Sequence, residues 1–385
     1  MYVDLLATVP LAIWAGLLSA RGGFWLCRER DDAAPVPPPR WPAVTAVVPA
    51  RNEADCIGGT IRSLLQQDYA GPFTIILVDD DSDDGTADTA RRAAAAMPHP
   101  RELITVQGRG PALGWTGKLW AVKQGIDAAE ALPTAPDYLL LTDADIVHAP
   151  DSVRWLVGHA EESGRVLTSF MAKLRCVSLA ERSHVPAFVF FFQMLFPFAW
   201  VNDRSRSTAA AAGGCMLVQA TALRRAGGIQ SIRDALIDDC SLAEKLKPHG
   251  PIWLGLTERV ESVRRYDRLD DVRRMISRSA YAQLGYSPLL LAGTVIGLAL
   301  TFLAAPALAL FGSGMAFLLG LLTWTMIALA FQPMLRFYRM SPLWGAATPA
   351  IALLYMAYTL DSACQYARGK GGIWKGRAQA NVARS

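Results

Sequence analysis

The sequence predicts an α/β domain, a mostly parallel sheet flanked by helices, with apolar membrane-spanning helices on both its N- and C-terminal sides. Three observations predict it. Short β-branched runs alternate with helix-like stretches between residues 43 and 265. Acid-rich loops follow strand after strand, and long apolar runs occupy both ends of the chain. At 385 residues, 52% hydrophobic and 19% charged, the chain exceeds one compact core and is too apolar for intrinsic disorder. A formal net charge of +4 argues against a nucleic-acid partner; the basic residues gather near the apolar runs, so an anionic bilayer is the expected neighbour. Cys27, Cys56, Cys176, Cys215, Cys240 and Cys364 show neither C-x-x-C nor zinc spacing and read as free thiols in a reducing compartment.

Taken in order, residues 1–26 form an N-terminal transmembrane helix whose apolar run covers 5–26. Asp4 precedes the run and Arg21, Arg28 and Arg30 follow it, the reverse of a secretory signal, so its C-terminal side is expected in the cytosol. Residues 27–42, Pro-rich from Pro35 to Pro42, read as an extended, semi-rigid linker. The α/β domain fills 43–265, with strands at 44–48, 73–78, 103–106 and 138–141 and helices near 57–67, 85–95, 118–131 and 151–163. Residues 266–286 mix arginines with Leu269, Val272, Met275, Ile276 and Leu284, a pattern for an amphipathic helix on anionic headgroups. Membrane helices follow over 287–361, in apolar segments 289–311, 315–333 and 343–360. Gly312-Ser313-Gly314 joins the first two into a hairpin, and Arg336 and Arg339 mark a cytosolic return. If the third crosses, the basic tail over 362–385, with Arg368, Lys370, Lys375, Arg377 and Arg384, ends outside against the positive-inside rule. A re-entrant or interfacial segment keeps it inside, and hydropathy leaves both open.

The chemistry lies after the strands, where open α/β sheets bind ligands. The first is followed by Pro49-Ala50-Arg51-Asn52-Glu53 and the second by a run of acids from Asp79 to Asp84. Asp79 and Asp80 end a buried strand, where a carboxylate can accept hydrogen bonds from ribose hydroxyls or base nitrogens; Asp83 and Asp84 suit a helix cap. No glycine-rich phosphate fingerprint follows the first strand, which favours a mononucleotide or nucleotide sugar over a dinucleotide. The fourth strand ends in Asp143-Ala144-Asp145, whose two carboxylates can address one Mg²⁺ or Mn²⁺ and so offset a diphosphate leaving group. Such triplets also cap helices; its register with the earlier acidic loops singles this one out. Lys118, in Gly114-Trp115-Thr116-Gly117-Lys118, is either a substrate contact or an ordinary first-turn lysine. Gly213 and Gly214 permit close backbone approach to a sugar, or a tight turn into a strand at 216–219. Asp238-Asp239 open a helix running to Lys247, and from spacing alone suit a cap as well as a site. His184 and His249 lack partners at ligand spacing and read as core or surface residues.

Together these loops resemble the family 2 inverting glycosyltransferases of GT-A fold, over most of residues 44–279. The resemblance implies that Pro49, Ala50, Arg51, Glu53 and Asp80 contact the nucleoside of a nucleotide sugar. It implies that Asp143 and Asp145 meet Mg²⁺ or Mn²⁺, Asp145 more closely, and that Asp239 is the catalytic base. The order of N-terminal span, Gly213-Gly214-Cys215, acidic pair and C-terminal spans is most similar to the hopene-associated membrane glycosyltransferases, and more distantly to ceramide glucosyltransferases. One departure is the Q-x-x-R-W motif: Met275 and Ser279 stand where Gln and Trp would, and Arg278 matches the arginine. The implied reaction is an in-line, inverting displacement from a donor that the resemblance makes UDP-linked, with Arg278 or Lys118 helping the diphosphate leave. Phe188, Phe190, Phe191, Phe192, Phe196, Phe198 and Trp200 suit either a membrane-dipping element or a core helix packed on the sheet. A membrane-tethered site makes a lipid hydroxyl the expected acceptor, in a multi-pass protein of bacterial inner-membrane type with a cytosolic catalytic domain. Rival readings are a polyprenyl-phosphate sugar transferase, a polysaccharide synthase, disfavoured by the altered motif and few C-terminal spans, and a catalytically silent membrane scaffold.

Overall fold

The computed structural model describes residues 2–98, 101–369, 373–374 and 377–378. Its contacts define two compact units, one of Glu29–Arg175, Trp200–Arg265 and Gly372–Ser385, the other of Met1–Arg28, Cys176–Ala199 and Tyr266–Gly371. The first is built on an eight-stranded sheet: β1 Val44–Ala50, β2 Phe73–Asp79, β3 Leu103–Gln107, β4 Tyr138–Thr142, β5 Ile146–His148, β6 Leu167–Leu174, β7 Cys215–Gln219 and β8 Ile252–Ser262, in the order β3-β2-β1-β4-β7-β6-β8-β5. From β3 to β4 neighbours run parallel, connected by helices Ile57–Leu65, Thr86–Ala95 and Gly117–Glu130. Helices cover such a sheet, so its strands read as unbroken apolar runs: Ile75, Ile76, Leu77 and Val78 are all buried. Beyond β4 the sheet is mixed, because β7 runs antiparallel to both β4 and β6.

Two registers place the loops. Ala50 pairs with Asp79, and Val47 with Leu141, so β1, β2 and β4 open their carboxyl ends along one edge. Thr142 pairs with Cys215, which sets Gly213-Gly214 against the start of the D-x-D turn. The Pro-rich stretch is extended, yet it is no free spacer. Leu256 N donates to Glu29 O at 2.9 Å, Trp155 Nε1 to Ala33 O at 2.8 Å and Tyr69 Oη to Pro42 O at 2.6 Å. Asp31, buried, is paired with Arg259 Nη1 at 2.7 Å and accepts from Thr257 Oγ1 at 2.5 Å.

In the helical unit the first helix, Tyr2–Ala20, stops short of the apolar run's end, because Gly22 (φ 61°) and Gly23 (φ 60°) turn left-handed. Arg21 donates from Nε and Nη2 to Met194 O and Leu195 O, capping the last carbonyls of helix Leu179–Leu195. That helix opens on a Ser178/Glu181 capping box and holds most of the aromatic segment. Phe190 packs tilted on Phe24 and edge-on to Phe331, and Phe191 edge-on to Phe302 and Tyr355, so this is a core helix of the helical unit. His184 is buried between Tyr355 and Tyr358, a core histidine, and His249 is exposed.

The expected amphipathic helix over 266–286 is broken into Leu269–Ser277 and Ala280–Gln283. Three following helices, Pro288–Phe311, Gly314–Phe337 and Pro342–Ala367, are long and apolar enough to cross a membrane. The first two pack closely at Gly320, where a Cβ would stand 2.6 Å from Ala309 N. The third begins beside the second, with Trp324 Nε1 donating to Ala346 O at 3.1 Å and Gln332 Nε2 to Pro342 O at 3.1 Å. It ends against 273–286: Arg273 Nη1 pairs with Asp361 at 2.7 Å, Tyr281 N donates to Ser362 Oγ at 3.0 Å, and Tyr366 stacks on Tyr286 at 4.4 Å. Lys370, Lys375 and Arg384 of the basic tail lie outside the described residues.

Candidate active site

The site grows from the β4–β7 register. At the end of the register, Thr142 Oγ1 donates to Gly214 O at 2.8 Å and Asp143 N to the same oxygen at 3.3 Å. Opposite, Thr116 caps helix Gly117–Glu130 by accepting from Leu119 N, which fixes Lys118 in the first turn. Lys118 Nζ lies 2.9 Å from Asp143 Oδ1 and 3.0 Å from Asp238 Oδ2, tying together loops that are far apart in sequence. Burial works against the ammonium, but Asp143 and then Asp238 outweigh it and raise its pKa. Burial raises Asp143 above the usual carboxylate range, with Lys118 opposing.

Asp239, next to Asp238, is held by two backbone donors, Gly213 N to Oδ2 at 2.9 Å and Cys240 N to Oδ1 at 2.7 Å. A Cβ on residue 213 would stand 3.3 Å from Asp239 Oδ2 and 3.6 Å from Lys118 Nζ, so glycine preserves this contact. Burial, and after it Asp238, push Asp239 up to about 6, against the two N–H groups and Lys118. That proton affinity suits a base working near neutrality. Pro49, Lys118, Thr142, Asp143, Gly213 and Asp238 line one cleft.

Beyond the D-x-D turn, Asp145 Oδ2 accepts from Ser262 Oγ at 2.7 Å and Arg264 Nε at 3.1 Å, while Arg264 Nη2 meets Glu53 Oε1 at 2.8 Å. The Cys56 thiol lies 3.3 Å from Glu53 Oε2; burial, with Glu53 adding, pushes it up to about 12, which leaves it protonated and unreactive. At the ends of β1 and β2, Asp80 is fully buried and its N donates to Ala50 O at 2.8 Å. Arg51 Nη1 donates to the carbonyls of Asp80 and Asp81 at 2.5 and 2.9 Å. Gly108 N donates to Asp79 O, and a Cβ there would stand 2.9 Å from that oxygen. The following helix takes Gly85 (φ 83°) as its cap residue, and Asp84 Oδ1 accepts from Thr86 N at 3.0 Å.

Asp143, Asp238, Lys118 and Gly213 therefore meet in one cleft, with Asp239 and Gly214 bonded to its lining residues Gly213 and Thr142, and Asp145 and Glu53 joined through Arg264. Arg278 belongs to the helical unit, exposed, its N donating to Arg274 O at the end of helix Leu269–Ser277. Ser262 and Arg264 are not among the residues singled out from sequence. Their signal is Arg264-Arg265 one residue past an eleven-residue strand, β8, that ends at Ser262 and is not placed from sequence.

Among the described residues, no group of three or more Asp, Glu, His or Cys side chains is placed to hold a metal ion. Asp143 and Asp145 nevertheless supply two hard-oxygen side chains on one turn. Mg²⁺ and Mn²⁺ commonly take one or two carboxylates and complete their shell with water and substrate phosphate, so this donor set fits them. The carboxylates of Glu53, Asp143, Asp145, Asp238 and Asp239 also outnumber Lys118 and Arg264, an excess of acid that a divalent ion offsets.

Comparison with known proteins bears on this cleft. Residues 39–263 match the family described as glycosyltransferase like family 2. A 4,4'-diaponeurosporenoate glycosyltransferase of Staphylococcus haemolyticus (strain JCSC1435) is 33% identical over 104 residues, which are 27% of this chain and 24% of the relative. The chain thus matches about a quarter of that relative's length. Among solved structures, a mannosyltransferase from Pyrobaculum calidifontis in complex with GDP-mannose and Mn²⁺ superposes with a TM-score of 0.54 at 21% identity, covering 92% of this chain and 99% of that one. This likeness bears out the GT-A type of sheet flanked by helices.

Proposed function

We propose, from the premise that this chain belongs to the family 2-like glycosyltransferases and moves a sugar from a nucleotide donor, a finer assignment. It is an inverting, metal-dependent enzyme whose donor is UDP-linked and whose acceptor is the hydroxyl of a membrane lipid, a hopanoid-type polycyclic alcohol being the family-implied class. The observation that carries this reading is Lys118 shared between Asp143 and Asp238, which sets the D-x-D turn and the loop of Asp239 on one cleft.

Asp239 takes the proton of the acceptor hydroxyl. The freed oxygen pair forms the new bond at the anomeric carbon from the face opposite the diphosphate, the bond to the diphosphate oxygen breaks, and its electrons leave with that group. General-base help of this kind is worth about 10²–10⁴-fold in rate. Mg²⁺ or Mn²⁺ held by Asp143 and Asp145 would neutralise charge on the departing diphosphate. Pro49, Ala50, Arg51, Glu53 and Asp80 hold the nucleoside, Gly213 and Gly214 admit the sugar, and Lys118 keeps base and donor loops in register. Arg278 stands as a diphosphate contact on its match to the family motif.

The catalytic domain is cytosolic in this reading, and the third apolar helix re-enters the membrane without crossing it. Two contacts support that. Met340, just past the second span, meets Cys176 Sγ through its sulfur at 3.6 Å, and Ser178 Oγ bonds Tyr266 O at 3.0 Å. The helix's far end meets 273–286, so it starts and finishes near the same segments, with Arg368 on the side of Arg336 and Arg339 in this reading. The test of the enzymatic reading is incubation of detergent-purified protein with UDP- and GDP-sugars and a lipid extract, followed by mass spectrometry. A glycosylated lipid formed from a UDP-sugar, lost in EDTA and restored by Mn²⁺, is expected. Product formed equally well in metal-free buffer removes the metal, and product on soluble acceptors alone removes the lipid.

A further inference from the structure

Arg264 follows β8 and serves two carboxylates from separate loops, Asp145 through Nε at 3.1 Å and Glu53 through Nη2 at 2.8 Å. The three side chains differ in freedom. Those of Asp145 and Glu53 are 10% and 7% exposed, whereas that of Arg264 is 32% exposed, so the guanidinium is the member of the group with room to leave. Its Nε and the Ser262 hydroxyl donate to the same oxygen, Asp145 Oδ2. A cation that binds Asp145 through this oxygen must displace donors already there. A guanidinium keeps its charge at every working pH, so the competition is not relieved by titration.

We propose that Arg264 is the resident counter-charge of Asp145 and Glu53 in the donor-free protein and that it keeps free divalent ion off Asp145. A nucleoside diphosphate, which offers the guanidinium a bidentate anionic partner, draws Arg264 away and opens the carboxylate. Metal therefore enters with the nucleotide and not ahead of it. This rests on the metal-dependent reading given above. It makes Arg264 a positioning residue that sets the coupling between two ligands. By linkage, nucleotide raises metal affinity by the same factor that metal raises nucleotide affinity.

The test uses full-length wild type, Arg264→Gln and Arg264→Lys, with the thermal midpoint of each recorded. Binding of Mn²⁺ alone is followed by paramagnetic resonance, and UDP affinity by calorimetry with and without Mn²⁺. Wild type is expected to bind Mn²⁺ alone weakly and to bind UDP far better with Mn²⁺ present. Arg264→Gln is expected to bind Mn²⁺ alone roughly tenfold more tightly and to show a correspondingly smaller effect of Mn²⁺ on UDP. Arg264→Lys, a point charge that does not bridge both carboxylates, falls between them and serves if the Gln variant does not fold. Variants that bind Mn²⁺ alone no better than wild type, with UDP coupling unchanged, overturn the inference. Failure of every protein to bind Mn²⁺ even with UDP overturns the metal reading along with it.

Discussion

Lys118 and Arg264 each hold two carboxylates from different loops, yet the two junctions are built for opposite ends. The Lys118 ammonium sits on the first turn of a capped helix, 18% exposed, between Asp143 and Asp238 at nearly equal distances. Arg264 lies on the open strand end, nearly twice as exposed, with partners deeper than itself. The difference teaches which charge pairs are framework and which are movable: a cation more buried than its partners is fixed by them, and one less buried can trade them for a ligand.

Four experiments would break or sharpen that contrast. The largest effect belongs to the group that the fixed junction presents. Asp239→Asn leaves both junctions intact and is expected to lower transfer by about 10²–10⁴-fold with UDP affinity unchanged; near-wild-type turnover would remove Asp239 as base. Next, Lys118→Met leaves Asp143 and Asp238 facing each other without a cation, for a loss of about 3 kcal/mol in denaturant unfolding. Arg264→Gln should lose less, and a reversed order would dissolve the distinction. Third, with Asp239 at about 6, turnover should fall roughly tenfold between neutrality and pH 5 as the base is protonated. The same raised pKa gives the opposite trend in stability. The native state binds this proton more tightly than the unfolded chain, so the contribution is full below about pH 4 and lost as pH rises through about 6. The pH profile of Asp239→Asn, flat across this window, checks both. The smallest and most qualitative effect concerns the helical unit. Arg368→Cys in a cysteine-free background should react with an impermeant maleimide from the face that exposes Arg336 and Arg339, and labelling from the other face would make the third helix a full span.

How much of this was legible before the fold was known follows from what each segment must bury. The first four strands were readable because β1, β2 and β4 are mainly apolar and almost wholly buried, while the half-exposed edge strand β3 still carries Leu103, Ile104 and Val106. Their boundaries move by only one or two residues. β6 and β8 were hidden by polar residues whose burial sequence does not display. Thr168 and Ser169 are fully buried, with Ser169 Oγ bonded to the carbonyls of Ala212 and Cys215 across the sheet. Glu258, Arg259 and Glu261 break the pattern of β8. The acid pairs were legible as types and positions. Their convergence through Lys118 was not, since no spacing rule connects residue 118 to residue 238. Arg264 was invisible for the same reason, compounded by the unplaced strand before it.

The strap of residues 29–42 has a practical side. Stretches between a membrane anchor and a domain are usually the safest places to cut, lengthen or replace with flexible sequence. Here Asp31 answers Arg259, and Ala33 answers the indole of Trp155. A soluble version begun at residue 43 would strip partners from Arg259, Thr257, Trp155 and Tyr69 of the sheet unit, a glycine-serine substitute for 29–42 would remove the Asp31 carboxylate, and each would fail for reasons unrelated to the bilayer.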